Sequence, residues 1–592
     1  MDNWQTKETN PVQRARIWYA LILIIFGIFA VRLFYLQIIR YDHYKAMALS
    51  DQVREYDVMP ERGTISANLN GKTVPLVLNQ KLYTVFADPS IIKNPDQTAG
   101  DIASLLGLDK AKLATQLRTQ NTRYVVLGKR ISADVKDKIL AFKDPGIATQ
   151  QVDYRVYPQG AIASQVLGFV NDDGQGEYGV EQALDSSLAG QKGRLKAITD
   201  VNGVPLAASS DNLLIQPKAG SNVDLTLNIG MQMQLEQIIK AAADKDHSKG
   251  VSAVIMDVHT GAIKAMANYP TYDPANYQTV ADASLFQNNA VTESIETGSI
   301  MKVLTTSTAL NSGAITPTAT FYDPGTWTID GATISDVAED HSTGTQSIYS
   351  ILNLSLNTGA TWMLMQMGGG QINDTARTTL YDYFSNHFML GRRTGIEQGY
   401  ESPGILTPPG HDGNAIDLTY AEMSFGQAIA ATALQMDAAF SSVLNGGTYY
   451  KPYLVQSIHT ATGDASVKQP IVLKHNVVSP AVSSAVISLL EQVNQGHVDE
   501  GFRYLDVGPH YSIGGKTGSA QIALPTGGYS ATQFNATYLG FVGGDTPQYA
   551  VAVYNYEPQI SYGFAGAQAA QPIFGTIAHM LINNYGVTPK TK

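Results

Sequence analysis

Apolar residues run without a charge through IWYALILIIFGIFAV, residues 17–31, and RLFYLQII carries the apolar character on to residue 39. Allowing Arg32 and Gln37, this span of 23 residues is long enough to cross a bilayer as one helix. Trp18, Tyr19 and Tyr35 suit interfacial anchors, and Arg32 can snorkel. No other run approaches that length, which predicts a single-pass chain. Further along, the periods shorten. KLYTVFADP and TRYVVLGKR predict strands, whereas LLGLDKAKLATQL and ISADVKDKILAF predict short helices. A Pro/Gly/Ser break at IQPKAGSN, residues 215–222, predicts a boundary. Beyond it VDLTLN predicts a strand and GMQMQLEQIIKAAADKD a helix. VSAVIMDVHTGAIKAMANYP holds two apolar runs about a turn between Asp257 and Gly261, the pattern of a hairpin. NATYLGFVGG and QYAVAVYNYEP add two alternating strands near the end. About 250 residues of longer, helical periodicity lie between. Strands from both ends with helices between them predict one antiparallel sheet covered by helices.

The expected organisation is α+β. It has a tail at 1–16, a transmembrane helix at 17–39, a linker at 40–58, an elongated α+β segment at 59–220 and a sheet-and-helix domain at 221–592.

Composition sharpens this picture at a few points. At 44% hydrophobic and 15% charged residues the chain is a folded protein. A net charge of -11 argues against nucleic-acid binding, which needs a basic surface. The absence of cysteine excludes disulfides, thiolate zinc sites and a cysteine nucleophile. Lys7, Arg14 and Arg16 precede the apolar span, which predicts a cytoplasmic N-terminus and a translocated remainder. Ala46-Met47-Ala48 fits a signal-cleavage pattern but lies well past the apolar core, behind Arg32, Arg40 and Lys45. A retained anchor is therefore expected.

The candidate chemistry starts at ETGSIMKVLTTSTAL. A serine hydroxyl needs a base within hydrogen-bond reach to act as a nucleophile. Positions i and i+3 share one face of a helix, so Ser299 and Lys302 can meet if a helix starts near Thr297, an acceptable N-cap residue. A lysine base needs its pKa lowered by burial or by a second cation. S-x-x-K alone is expected about twice by chance at average residue usage. It recurs at Ser90 and Lys93. K-T-G at Lys516, Thr517 and Gly518, followed by Ser519, is rarer. Its flanking glycines suit a strand edge that another backbone approaches closely. Lys516 is a candidate for the second cation and for holding a carboxylate. A third element is Ser355-Leu356-Asn357; the same S-x-N pattern occurs at Ser66 with Asn68 and at Ser210 with Asn212, but both of those precede Ser299. There is no H-E-x-x-H, G-x-S-x-G or Walker A motif, and the eleven histidines are scattered, so neither metal nor cofactor is expected.

The order S-x-x-K, S-x-N, K-T-G resembles the signature of penicillin-binding proteins and serine β-lactamases. The intervals resemble the transpeptidase branch. The flanks TGAIKAMANYPTYDP, YAEMSFGQAIAATALQM and NGGTYYKPYLV are also similar to that domain. ERGTI, residues 61–65, and GEYGVEQALDSSLAG, residues 176–190, resemble the pedestal of class B penicillin-binding proteins, so the likeness covers nearly the whole chain. The chain departs from the family at two places. Thr297 stands where proline is usual, and SANLNG replaces the pedestal's usual Asp-Arg-Asn-Gly.

The resemblance implies a membrane-anchored peptidoglycan D,D-transpeptidase. Ser299 would attack the penultimate D-alanyl carbonyl of a stem peptide, and Lys302 would take its proton. Backbone N–H groups of Ser299 and Ser519 would hold the oxyanion. Ser355 would pass the proton to the leaving D-alanine, Asn357 would orient the donor, and Lys516, Thr517 and Gly518 would complete the site. A β-lactam would acylate the same serine. A polytopic glycosyltransferase of the shape, elongation, division and sporulation family is the implied partner, and septal wall synthesis the implied role. The alternatives are an elongation enzyme, a β-lactam sensor, a silent scaffold, and a carboxypeptidase or β-lactamase. Sixteen residues before Ile17 are too few for a signalling module, all three motifs are intact, and no room is left for a glycosyltransferase domain of its own.

Overall fold

The computed structural model describes residues 11–198, 213–336, 343–410, 415–460, 462–524, 528–560 and 564–591. The chain divides into two compact units, Met1–Pro60 with Gly190–Ala219, and Glu61–Ala189 with Gly220–Lys592.

In the first unit the apolar span forms a helix at Pro11–Phe34 that continues as a π-turn at Tyr35–Ile39. Its 29 residues can cross a membrane by length and composition, and none of its side chains is buried. A helix at Tyr41–Gln52 follows, then a strand at Val53–Val58. That strand pairs antiparallel with Gly193–Ile198, which pairs in turn with Leu213–Ile215.

The second unit is built on two sheets. The first, of seven strands, runs Ala465–Val467, Val455–His459, Asn222–Asn228, Ile65–Leu69, Lys72–Ala87, Val125–Ile131, with Ile147–Val156 also on Lys72–Ala87. Asn222–Asn228 pairs parallel with Ile65–Leu69, so this sheet is shared by strands on both sides of residue 220. Helices Pro95–Leu106, Lys110–Leu117 and Ala133–Leu140 pack on its far end. LLGLDKAKLATQL is split between two of them. Gly107 takes the left-handed conformation that ends the first, and the Asp109 carboxylate caps the second by accepting from Lys112 N–H at 2.9 Å.

The second sheet carries the site. Its five strands are β1 (Gly250–Asp257), β2 (Ile263–Tyr269), β5 (Ser512–Ala523), β6 (Tyr529–Gly543) and β7 (Pro547–Tyr556). A small hairpin lies between β2 and β5 in the chain: β3 (Thr326–Ile329) and β4 (Ala332–Ser335). The sheet order is β2-β1-β7-β6-β5, antiparallel throughout, with β5 at an edge.

Helices cover both faces, which is why β1 reads as a continuous apolar run. Val251, Ala253 and Ile255 of β1 join a core with α1 (Ile229–Asp246) and α6 (Gln571–Asn584). Val254 and Met256 join the other core. That core contains α2 (Met301–Asn311), α3 (Asn357–Met367), α4 (Ala433–Leu444) and α5 (Pro480–Asp499). The region expected to be largely helical also carries two-stranded pairings: β3 with β4, Thr320–Asp323 with Gly344–Ser347, and Ile295–Glu296 with Ala430–Ala431.

Candidate active site

Helix α2 is buried from Met301 to Leu310 despite its threonine and serine run. The hydroxyls are satisfied locally. Ser307 Oγ donates to Val303 O at 2.7 Å, Thr308 Oγ1 to Leu304 O at 2.8 Å, and Thr305 Oγ1 to Ser424 O at 2.7 Å. The polar stretch can therefore occupy the middle of a core, with Ser299 in the short 3-10 turn Gly298–Ile300 at its entrance. Thr297 does not serve as a side-chain N-cap, and its Oγ1 is buried without a partner. The turn is set by close backbone approach instead. Gly298 has φ +60°, and a Cβ there would stand 2.9 Å from Ser519 O. Gly518 faces it from β5, where a Cβ would meet Thr537 Oγ1 at 2.2 Å and Thr297 O at 2.8 Å. Thr537 Oγ1 donates to Thr297 O at 2.8 Å and ties the turn to the sheet.

Lys302 is fully buried and its Nζ collects the first two motifs. Nζ lies 3.0 Å from Ser299 Oγ, 2.6 Å from Ser355 O, 3.2 Å from Ser355 Oγ and 2.8 Å from Asn357 Oδ1. The carbonyl and the amide oxygen can only accept, whereas the two hydroxyls can also donate. A neutral amine fits this set: two N–H bonds go to Ser355 O and Asn357 Oδ1, and the lone pair receives the Ser299 proton. The electrostatics favour that state. Burial first, and then the field of Lys516, hold Lys302 well below the ordinary lysine value, while Asp336 pulls it back up. Lys516, also buried, is lowered to about 7 by burial. Its Nζ donates to Thr517 O at 3.0 Å and Thr517 Oγ1 at 3.3 Å. It makes no described hydrogen bond to Ser299 or Lys302 and reaches the latter through its charge.

The remaining motif residues lie along the same line. Thr517 and Ser519 are half-buried on β5, and Ser519 Oγ accepts from Gly566 N–H at 2.9 Å. Ser355 holds φ +60°, a left-handed conformation unusual for a residue with a side chain, and this aims both its carbonyl and its hydroxyl at Lys302.

The competing matches lead elsewhere. Ser90 Oγ bonds Asp88 Oδ1 at 2.5 Å in a turn, with Lys93 exposed. Asn68 Oδ1 accepts from Gly71 N–H at 3.0 Å in the turn after Ile65–Leu69. Ser210 and Asn212 lie outside the described residues.

Two acids escaped the sequence reading. Glu296, which burial pushes up, accepts from Ala428 N–H and from Tyr529 OH, both at 2.9 Å, just before the nucleophile turn. Asp336 follows β4 and bonds the start of α3. The Asp-Gly pair in TWTIDGATIS, a strong hairpin signal, could have drawn attention to that neighbourhood.

Comparison with known proteins shows what the chain is similar to. Residues 251–579 match the penicillin binding protein transpeptidase domain, and residues 57–225 match the penicillin-binding protein dimerisation domain. Stage V sporulation protein D of Bacillus subtilis is 31% identical over 98% of this chain and 88% of its own length. Peptidoglycan D,D-transpeptidase FtsI of Escherichia coli is 26% identical over 96% and 91%. In fold, the chain is similar to penicillin binding protein 3 of Mycobacterium tuberculosis solved with aztreonam. The TM-score is 0.66 at 24% identity, covering 90% of this chain and 98% of that one.

Proposed function

The chain belongs to the penicillin-binding proteins that join a dimerisation domain to a transpeptidase domain, and on that footing we propose that it is a peptidoglycan D,D-transpeptidase acting through a serine acyl-enzyme. The observation that carries the reading is Lys302 Nζ, buried and deprotonation-prone, 3.0 Å from Ser299 Oγ.

The chemistry follows from the residues. Neutral Lys302 takes the proton as Ser299 Oγ bonds the D-alanyl carbonyl carbon of the donor stem. The oxyanion sits on the N–H groups of Ser299 and Ser519. Ser355, within reach of Lys302, delivers a proton to the departing amine as the C–N bond breaks and D-alanine leaves. Asn357, Thr517 and Gly518 hold the donor, and Lys516 both binds its carboxylate and keeps Lys302 neutral. The amine of a second stem then attacks the ester, forming the cross-link and freeing Ser299. A β-lactam takes the donor's place and leaves Ser299 acylated.

The apolar helix fits a single-pass anchor with the tail 1–16 in the cytoplasm and the catalytic unit outside, beside a polytopic glycosyltransferase. Length and layout favour septal synthesis; depletion would then give filaments, and rounded cells would point to elongation instead.

The test is labelling with a fluorescent penicillin, read on a denaturing gel. Wild type gives a stable band and Ser299→Ala gives none. Absence of a band from folded wild type, with no β-lactam turnover, would overturn the reading.

A further inference from the structure

The β3–β4 hairpin holds the second motif from outside it. Asp330 and Gly331, at φ 50° and 83°, make the turn, and Asp330 Oδ2 accepts from Leu418 N–H at 3.0 Å, which fixes the tip. Trp327 Nε1 on β3 donates to Thr358 O at 3.0 Å. Ser335 O, at the end of β4, accepts from Asn357 Nδ2 at 3.0 Å, which turns Asn357 Oδ1 toward Lys302. The next residue, Asp336, makes three bonds to the start of α3. Its Oδ1 accepts from the N–H groups of Asn357 and of Thr358, the latter at 3.1 Å, and its Oδ2 accepts from Thr358 Oγ1 at 2.8 Å. The residue before α3, Leu356, has no side chain that can cap, so Asp336 supplies the cap from 21 positions upstream.

We propose that Asp336 is a positioning residue for acyl transfer. It fixes the start of α3 so that Asn357 and Ser355 converge on Lys302, and through Asn357 it sets a negative charge one hydrogen-bonded residue away from that amine. The inference rests on the transpeptidase reading above.

Two jobs in one side chain can be separated. Asn at 336 can still accept from both N–H groups and can donate to Thr358 Oγ1, so it keeps the clamp and loses the charge. Ala loses both.

Among the described residues, the charged groups around Lys302 are few. Lys516 faces it from β5 and Asp336 from the end of β4. The neighbouring elements spend their charges elsewhere. His497 of α5 faces Lys516, Glu422 of the helix Ile416–Phe425 faces Glu296, Asp437 of α4 faces Tyr554, and Arg377 of Asp374–Asp382 is tied to Asp374 and Asp417. Among the described residues Asp336 is the one anion acting on Lys302, and it raises the amine's affinity for a proton. Removing its charge lowers that affinity. The base is the neutral amine, so the acid limb of the acylation rate must move to lower pH.

The experiment is the second-order rate of labelling by a fluorescent penicillin from pH 5 to 9, for full-length wild type, Asp336→Asn and Asp336→Ala. Asp336→Ala is expected to slow acylation by about ten- to a hundredfold, the range for losing hydrogen bonds to a charged group. Asp336→Asn should stay within about threefold of wild type above the limb, with the limb displaced to lower pH. Asp336→Ala labelling as fast as wild type would overturn the proposal, as would an undisplaced limb in Asp336→Asn. A thermal melt reports whether Asp336→Ala folds; if it does not, the limb in Asp336→Asn decides. Wild type that never labels would sink the transpeptidase reading itself.

Discussion

Lys302 and Lys516 lie buried with no carboxylate in ion-pair contact among the described residues, whereas Arg62 and Arg155, also buried, share one buried acid, and Arg62 pairs with Asp185 as well. The shared acid, Glu181, has no exposed surface. Its Oε1 accepts from Arg155 Nε at 2.9 Å and lies 2.8 Å from Nη2, and its Oε2 accepts from Arg62 Nε at 2.8 Å and lies 2.6 Å from Nη2. Both pairs face the same problem, the cost of taking a cation out of water. A guanidinium cannot shed its proton, so the arginines keep their charge and share a carboxylate, one oxygen to each. An ammonium can shed its proton; burial drives both lysines that way, and the charge of Lys516 drives Lys302 further. The first solution fixes geometry, here between the segment just before the strand Ile65–Leu69, the strand Ile147–Val156 and the helix Gly179–Ala183. The second leaves a base.

The contrast breaks most visibly at Glu181. Glu181→Gln leaves one arginine facing an amide N–H₂ and Arg155 without its anion, while Arg62 keeps Asp185 at 2.7 Å. Breaking a buried pair in this way costs about 3–5 kcal/mol. Denaturant melts of the full-length protein in detergent should show that loss, while the folded fraction labels with a fluorescent penicillin at the wild-type rate. A loss under about 1 kcal/mol would mean that the arginines do not depend on their acid.

The lysine pair sharpens the comparison through pH. Lys516 titrates near 7 when folded and near 10.5 when unfolded. Between those values the unfolded chain binds more protons, so stability rises with pH across this window and falls again toward 7. One such group contributes a slope of at most about 1.4 kcal/mol per pH unit. The difference in stability between wild type and Lys516→Met should therefore grow in favour of wild type from about pH 7 upward. The arginine cluster stays charged throughout this window and contributes no such slope. A flat difference would show that Lys516 keeps its proton.

The two clusters were unequally legible. Ser299 and Lys302 sit one helical turn apart, and Lys516, Thr517 and Gly518 are consecutive, so short spacing carried their chemistry. Arg62 and Glu181 fall in two stretches that resemble the pedestal, but nothing local says that they touch, because 119 positions separate them. Asp336 was hidden for the same reason. The apolar pattern exposed β1 and β2 as two runs about a turn and β6 and β7 by alternation. It could not give the order β2-β1-β7-β6-β5 or the parallel pairing of Asn222–Asn228 with Ile65–Leu69, which depend on long-range register. The break near residue 220 is where the chain re-enters the second unit, whose sheet pairs strands from before and after it in sequence.

Thr297 is the finest test of the difference between charge and scaffold, because it touches the nucleophile's turn without touching its electrostatics. The family's usual proline is compatible with the backbone here. Thr297 has φ -79°, inside the range that a pyrrolidine ring allows, and Glu296 before it lies in a strand, the conformation favoured ahead of proline. The carbonyl of residue 297 would keep its bond from Thr537 Oγ1, and the buried Oγ1 that now lacks a partner would be gone. Thr297→Pro should thus stabilise the fold by about 0.5–1 kcal/mol, mostly by restricting the unfolded chain. Labelling by a fluorescent penicillin should stay within about twofold, since Lys302 and its acceptors are untouched. A stable variant with a much faster rate would mean that the turn around Ser299 is loose in the native enzyme. Reactivity would then be limited by the scaffold rather than by the protonation of Lys302.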